Sequence, residues 1–194
     1  MIRSTVAAAA KEKTYGQADP ALTATVYGLV NGDAEDVLSY TLGRDSGEDA
    51  GTYAITPAGA AEQGNYLVQY VPATLVIGRA SATVAADSFV KTYGDADPTL
   101  TAQVSGLVAG DAESVLDYAI SREAGEDVGS YAITASGDAE QGNYLVSFAD
   151  GTLQIVASDG LGVAGSNVDV TYDGLLHGAA GWTNVRSEEH TSEL

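Results

Sequence analysis

The sequence predicts an all-β protein made of two small β-sandwich domains in tandem. Three observations carry that expectation: a near-exact internal repeat, short runs with period-2 alternation, and no segment long enough for a stable independent helix. Lys13-Thr14-Tyr15-Gly16 returns as Lys91-Thr92-Tyr93-Gly94, an offset of 78 residues. Gln63-Gly64-Asn65-Tyr66-Leu67-Val68 returns as Gln141-Gly142-Asn143-Tyr144-Leu145-Val146 at the same offset. Compared without gaps, residues 13–78 and 91–156 are identical at 42 of 66 positions. The match reaches back to Thr5-Val6-Ala7-Ala8 and Thr83-Val84-Ala85-Ala86, so the units run 3–80 and 81–158. A tandem of this size describes two domains and not one domain with an internal echo.

The elements follow in order along the second unit. Ser81–Ala86 reads as a first strand, weakened by its alanines. Lys91–Gly94 leads into Asp95-Ala96-Asp97-Pro98, a polar turn in which proline follows aspartate. Leu100, Ala102 and Val104 alternate with Thr101, Gln103 and Ser105, which predicts a second strand. Gly106 to Asp111 punctuates it, and residues 112–116 have room for one helical turn. Tyr118-Ala119-Ile120 opens another strand, and Gly125–Gly129 is a turn or bulged connection. Ser130–Thr134, Asn143–Phe148 and Thr152–Ile155 supply the remaining strands. Short strands separated by regular turn signals read as a sandwich. An immunoglobulin-like sandwich is the leading arrangement, and a β-grasp-like one with one short helical turn is the alternative.

Composition narrows the function classes. Of 194 residues, eight are Lys or Arg and 27 are Asp or Glu, a formal charge of −19. Such a field opposes nucleic acid and anionic lipid, so neither is an expected partner. No stretch approaches transmembrane length, so no membrane insertion is expected within this segment. Cysteine is absent, which removes disulfides, thiolate catalysis and Cys-ligated metals. Only two histidines occur, His177 and His190, both outside the repeats, so Ser–His–Asp chemistry is excluded from them. An apolar fraction of 45% nonetheless argues for a packed core and against acidic disorder. With one Trp, two Phe and eleven Tyr, the tyrosines must supply much of the aromatic packing. Tyr53, Tyr66, Tyr131 and Tyr144 fall in strand runs and read as packed rings with hydroxyls at the rim. A carbohydrate-stacking platform is the functional alternative. The repeated glycines read as turn residues, since none stands in a strand–loop–helix phosphate cradle.

The acidic residues are the remaining candidates. Asp33, Glu35 and Asp36 form one group and Asp111 with Glu113 its counterpart. Asp45, Glu48 and Asp49 correspond to Glu123, Glu126 and Asp127. Calcium takes about six to eight oxygen ligands, and carboxylates in Gly-rich loops can supply some of them. Asp33, Glu35, Asp111 and Glu113 are therefore the calcium candidates. The spacing is not that of an EF-hand loop, and Asp36 becomes Ser114 in the second unit. A solvated acidic loop is the simpler reading, with no cofactor. Glycoside hydrolysis by a carboxylate pair requires a pocket that separates two pKa values, and the sequence shows no sign of a cleft. Arg44 and Arg122 sit among acids, and the expected role is an ion pair that steadies the Gly47–Gly51 and Gly125–Gly129 loops. No enzyme is expected.

Several motifs in fixed order resemble a known family. They are the Lys-Thr-Tyr-Gly opening with Asp-Pro-x-Leu, the Gly-Leu-Val-x-Gly-Asp segment, the Arg-x-x-Gly-Glu-Asp-x-Gly-x-Tyr-Ala-Ile run, and Asn-Tyr ahead of Thr-Leu-x-Ile. Together they resemble the MBG domain of the YGx type, over about residues 5–156. Tyr15, Gly16, Asp19 and Pro20 match the opening signature, as do Tyr93, Gly94, Asp97 and Pro98. The resemblance implies tandem arrays in large bacterial secreted or surface proteins, often like filamentous haemagglutinins and other adhesins. It therefore implies an extracellular or cell-surface location. The expected function is a non-catalytic stalk or spacer whose partners are neighbouring repeats of the same chain. The alternative is a module that binds glycan or a host or cell-surface protein. Tyr27, Tyr40 and Tyr70 motivate it, with counterparts Ser105, Tyr118 and Phe148.

The remaining residues depart from the repeat. Residues 159–166 read as a Gly/Ala/Ser-rich linker. Residues 167–185 resemble the truncated start of a further extracellular repeat with a Thr-Tyr-Asp-Gly opening. Residues 186–194 share no register with anything upstream and resemble translated read-through of a sequencing-library adapter, a non-native tail.

Overall fold

The computed structural model describes residues 1–158; the expectations for 159–166, 167–185 and 186–194 lie outside the described residues. The first repeat holds eight strands: β1 (Ile2–Ala8), β2 (Lys11–Thr14), β3 (Ala24–Tyr27), β4 (Thr41–Arg44), β5 (Gly51–Ala58), β6 (Glu62–Gln63), β7 (Tyr66–Val71) and β8 (Ala73–Gly78). The second repeats the set as β9 (Ala80–Ala86), β10 (Phe89–Thr92), β11 (Ala102–Ser105), β12 (Ala119–Arg122), β13 (Gly129–Ser136), β14 (Glu140–Gln141), β15 (Tyr144–Ala149) and β16 (Gly151–Val156). The predicted helical turn is present in each as a single 3-10 turn, Glu35–Val37 and Glu113–Val115.

Each repeat forms two four-stranded sheets. In the first the orders are β3-β1-β7-β6 and β2-β8-β5-β4; in the second, β11-β9-β15-β14 and β10-β16-β13-β12. Alternation places one face of every long strand inward. In the second repeat, Ala82, Val84, Tyr144 and Val146 from one sheet join Ile133, Leu153 and Ile155 from the other in a single core. The tandem all-β expectation therefore holds. Pro57 is accommodated in β5 because pairing with β8 ends at Ile55, so its missing N–H falls where only β4 remains alongside.

The pairing carries one feature that periodicity does not reveal. The first strands lie parallel to the last: β1 against β7 and β2 against β8, with β9–β15 and β10–β16 matching them. Ile2 stands opposite Tyr66, and Thr14 opposite Gly78. Each repeat thus has an entry end, where its first strand begins beside Asn65-Tyr66, and an exit end, where β8 finishes beside Thr14-Tyr15. Three smaller differences from expectation are local. The strand predicted from Leu100 begins at Ala102, β10 forms where the sequence predicts only a lead into the turn, and the two-residue β14 is too short for a period to show.

Candidate functional site: the ion-pair clamps and the repeat junction

A charged cluster recurs in both repeats. Lys13 comes from β2, and its side chain is only 3% exposed. Its ammonium donates to Asp19 Oδ1 at 2.7 Å and also to Glu48. Arg44, at the end of β4, donates from Nε to Asp19 Oδ2 at 2.6 Å and also meets Glu48. Its Nη1 donates to the carbonyls of Asp45 and Gly47, each at 2.7 Å. Lys91, Asp97, Arg122 and Glu126 repeat the arrangement, with Lys91–Asp97 and Arg122–Asp97 both at 2.6 Å. Gly47 has φ +139°, and a Cβ there would collide with the Tyr53 ring, so only glycine suits the loop. Tyr53 closes it by donating to the Asp49 carbonyl at 2.8 Å, and Tyr131 does the same to Asp127 at 2.9 Å. The predicted role of Arg44 and Arg122 in steadying these loops is what the geometry shows.

The electrostatics of the cluster are those of a clamp. Hydrogen bonds from Arg44 and Lys13 hold the Asp19 carboxyl below its ordinary value, and Lys13 and Arg44 do the same to Glu48. Asp19 and then Glu48 push the Lys13 ammonium up. Asp97 and Glu126 are depressed and Lys91 raised in the same way. Every one of these shifts moves away from neutrality, the opposite of the tuning that general acid–base catalysis requires.

The calcium candidates Asp33, Glu35, Asp111 and Glu113 lie at and just before the two 3-10 turns. Asp33 accepts the Tyr66 hydroxyl at 2.6 Å, and the Val30 N–H donates to that same hydroxyl at 3.1 Å. Asp111 accepts the Tyr144 hydroxyl, while Val108 N–H donates to it at 2.9 Å. Glu35 and Glu113 stand exposed at the starts of the 3-10 turns. Among the described residues, no three His, Cys, Asp or Glu side chains gather as a metal site.

The two repeats meet through a short and heavily tied junction. Strand β8 passes into β9 through one residue, Arg79. Tyr15 N–H donates to Gly78 O at 2.8 Å, and Ala80 N–H donates to Asn143 O at 2.9 Å. The connection therefore carries Tyr15 of the exit end directly to the entry end of the second repeat. There the Tyr15 ring stands edge-on to Tyr144, with centroids 5.7 Å apart and planes at 79°. Its hydroxyl donates to Asp111 Oδ2 at 3.2 Å, and desolvation followed by Asp111 raises its pKa. Gly16, at φ +82°, passes under Val108 so closely that a Cβ would lie 2.5 Å from Cγ1. Asn143 donates to Asp49 Oδ1 at 2.9 Å and accepts from Ala50 N–H at 2.8 Å. Arg79 completes the seam, donating to Gly142 O at 3.1 Å and pairing with Glu140 at 3.1 Å.

The profile of the MBG domain (YGX type) matches residues 5–76 and again residues 82–154. The chain belongs to the MBG family. No curated protein matches it. The MBG signature residues now have physical roles in the first repeat. Tyr15 and Gly16 build the junction, Asp19 anchors the clamp, and Pro20 follows it in the same loop. In the second repeat Asp97 anchors the matching clamp, ahead of Pro98, whereas Tyr93 is 53% exposed and no described residue lies within 4 Å of where a Gly94 Cβ would stand. Lys13, Lys91, Arg79 and Asn143 were not singled out from the sequence. Lys13 and Lys91 stand inside the quoted opening motif, but their charge signals a surface position and conceals their burial.

Each MBG repeat also bears a shallow groove at equivalent positions. Ser39, Tyr40, Thr41, Gly59 and Gln63 line about 430 Å³ in the first, and Asp117, Tyr118, Ala119, Gly137 and Gln141 about 480 Å³ in the second. The Gln63 amide is spent internally, donating to the carbonyls of Ser39 and Ala60 and accepting from Ser39 N–H. Gln141 is engaged in the same way with Asp117 and Asp138.

Proposed function

We propose that the two MBG repeats act as a non-catalytic spacer in a bacterial surface protein of the adhesin type. The observation that carries this reading is the junction. A one-residue connection, clamped to a neighbouring strand on each side, leaves little freedom between the domains, and Tyr15 fills the seam. A device for holding distance needs such joints, and a hinged catalytic pair does not. The acidic surface suits solubility in a long array. In this reading the carboxylates serve tyrosine hydroxyls and cation clamps, so no cofactor is required, and the partners are neighbouring repeats. Backbone relaxation by NMR tests it. Amides of both repeats should report one common rotational diffusion tensor, and separate tensors would overturn the spacer role. Antibody against the repeats should label intact cells; labelling only after lysis would overturn the surface location.

A second reading rests on the paired grooves. Tyr40 and Tyr118 offer half-buried rings at equivalent positions, suited to stacking on a sugar or a protein side chain. Two weak sites on one rigid body would gain by avidity. A glycan array probed with the chain should show binding lost on Tyr40→Ala with Tyr118→Ala; a blank array would remove the glycan form of this reading.

A further inference from the structure

The internal junction shows what each end of a repeat is built to meet, and both faces are present a second time with no partner among the described residues. At the exit end of the second repeat, Tyr93 is the counterpart of Tyr15 and Gly94 of Gly16, while Asp127 and Val128 take the places of Asp49 and Ala50. Tyr93 is 53% and Val128 57% exposed, and no described residue stands over Gly94. At the entry end of the first repeat, Val30, Asp33, Asn65 and Tyr66 are the counterparts of Val108, Asp111, Asn143 and Tyr144. Asp33 receives one tyrosine hydroxyl where Asp111 receives two, and Asn65 is exposed where Asn143 holds Asp49 and Ala50.

We propose that the Tyr93–Gly94–Val128 face of one molecule docks head-to-tail on the Val30–Asp33–Asn65 face of a second copy of this chain. The internal junction supplies the template. Tyr93 enters edge-on to Tyr66 of the second copy and donates to its Asp33, Gly94 passes under Val30, and Asn65 bridges Asp127 and the Val128 N–H. Because the two faces differ, the contact is heterologous and propagates into open chains of molecules instead of closing as a symmetric dimer. Two features make it weaker than the internal seam. The counterpart of Arg79 is Ala157, so the bridge to Glu62 and Gly64 has no cation, and no covalent link raises the effective concentration. Two chains of charge −19 also repel, so association strengthens as salt screens them. This proposal is independent of the spacer role, and its failure leaves the relaxation test above untouched.

Sedimentation and NMR on the full chain, concentrated to about 1 mM at low and at high salt, test it. The average mass should rise with concentration, more so at high salt, and the amides of Val30, Asn65, Gly94 and Val128 should shift together. Tyr93→Ala alone and Asn65→Ala alone should each be monomeric, yet a mixture of the two should form heterodimers and nothing larger. Each variant keeps the face that the other has lost. A concentration-independent monomer mass for the unsubstituted chain would overturn the proposal. So would failure of the mixed variants to associate, or contacts to Tyr93 from residues 159–194 that persist on dilution.

Discussion

The first and second MBG repeats have nearly the same sequence, yet their interiors are organised differently. The second has one continuous core of eleven buried residues, which Tyr15 of the first repeat also touches. The first has two separate clusters, one around Val6, Leu38, Tyr66 and Val68 and another around Ile55, Leu75 and Ile77. One position between them stands out. Ser4 occupies the place of Ala82, is equally buried at 2%, and its hydroxyl is the buried side-chain oxygen without a hydrogen-bond partner among the described residues. An oxygen in the middle of a sheet face interrupts apolar packing at little change in volume, and it loses its water without replacement. The difference teaches that the Tyr15 ring is shared: it packs against the Ile55–Leu75–Ile77 cluster of its own repeat and against the core of the second.

Core truncation should expose the contrast most strongly. Leu75→Ala and Leu153→Ala each remove a side chain with no exposed surface, and each should cost about 2–5 kcal/mol in chemical denaturation. Leu153→Ala belongs at the upper end, because a continuous core has fewer ways to collapse around the hole. Equal small losses would argue that the two interiors do not differ. Next in size is the junction pair. Tyr15→Ala should lower the melting temperature by several degrees and split one calorimetric transition into two, whereas Tyr93→Ala in dilute solution should change neither. Equal effects of the two substitutions would remove the junction from the account.

Much of this architecture was legible in the sequence, and the reasons are specific. The 78-residue offset and the alternation around Val84, Ile133 and Ile155 announce two all-β units, because a buried sheet face imposes period 2 directly. Arg44 could be read as a loop clamp because Asp45, Gly47 and Glu48 lie within a few residues of it, whereas its pairing with Asp19, 25 residues away, could not. The parallel pairing of first and last strands could not be read, since alternation reports which face is buried and not which strand lies alongside. The junction was hidden for the same reason. Tyr15 and Tyr93 occupy identical motifs, and only three-dimensional contact distinguishes a packed ring from an exposed one. The tyrosine hydroxyls that Asp33 and Asp111 accept were hidden too, because proximity in sequence does not say which side chain a carboxylate meets across the fold.

Smaller effects sharpen the comparison. Ser4→Ala should stabilise the first repeat by about 1 kcal/mol, and Ala82→Ser should destabilise the second by a similar amount, both read from urea midpoints. A destabilising Ser4→Ala would mean that the hydroxyl has a partner after all. The pH dependence should separate shared features from unshared ones. Asp19, Glu48, Asp97 and Glu126 have depressed folded values, so their contribution is complete above the ordinary carboxylate range. It is lost as pH falls through and below about 4, alike in both repeats. Tyr15, Tyr66 and Tyr144 are raised above their ordinary 10.0, so their contribution is complete below that value and is lost as pH climbs past it. Two of these three tyrosines converge on Asp111, so the alkaline loss should be steeper for the second repeat, as tyrosinate absorbance followed during unfolding would show. Equal alkaline slopes would contradict the shared Asp111.

The central claim is that Tyr15 and the one-residue connection fix the second repeat against the first. With no native cysteine to interfere, spin labels on Thr56→Cys and Thr134→Cys, equivalent exposed positions on β5 and β13, report the separation by pulsed electron resonance. A single narrow distance distribution, broadened when Tyr15→Ala is added, is the predicted result. A broad distribution in the parent protein, or one indifferent to Tyr15→Ala, would contradict it.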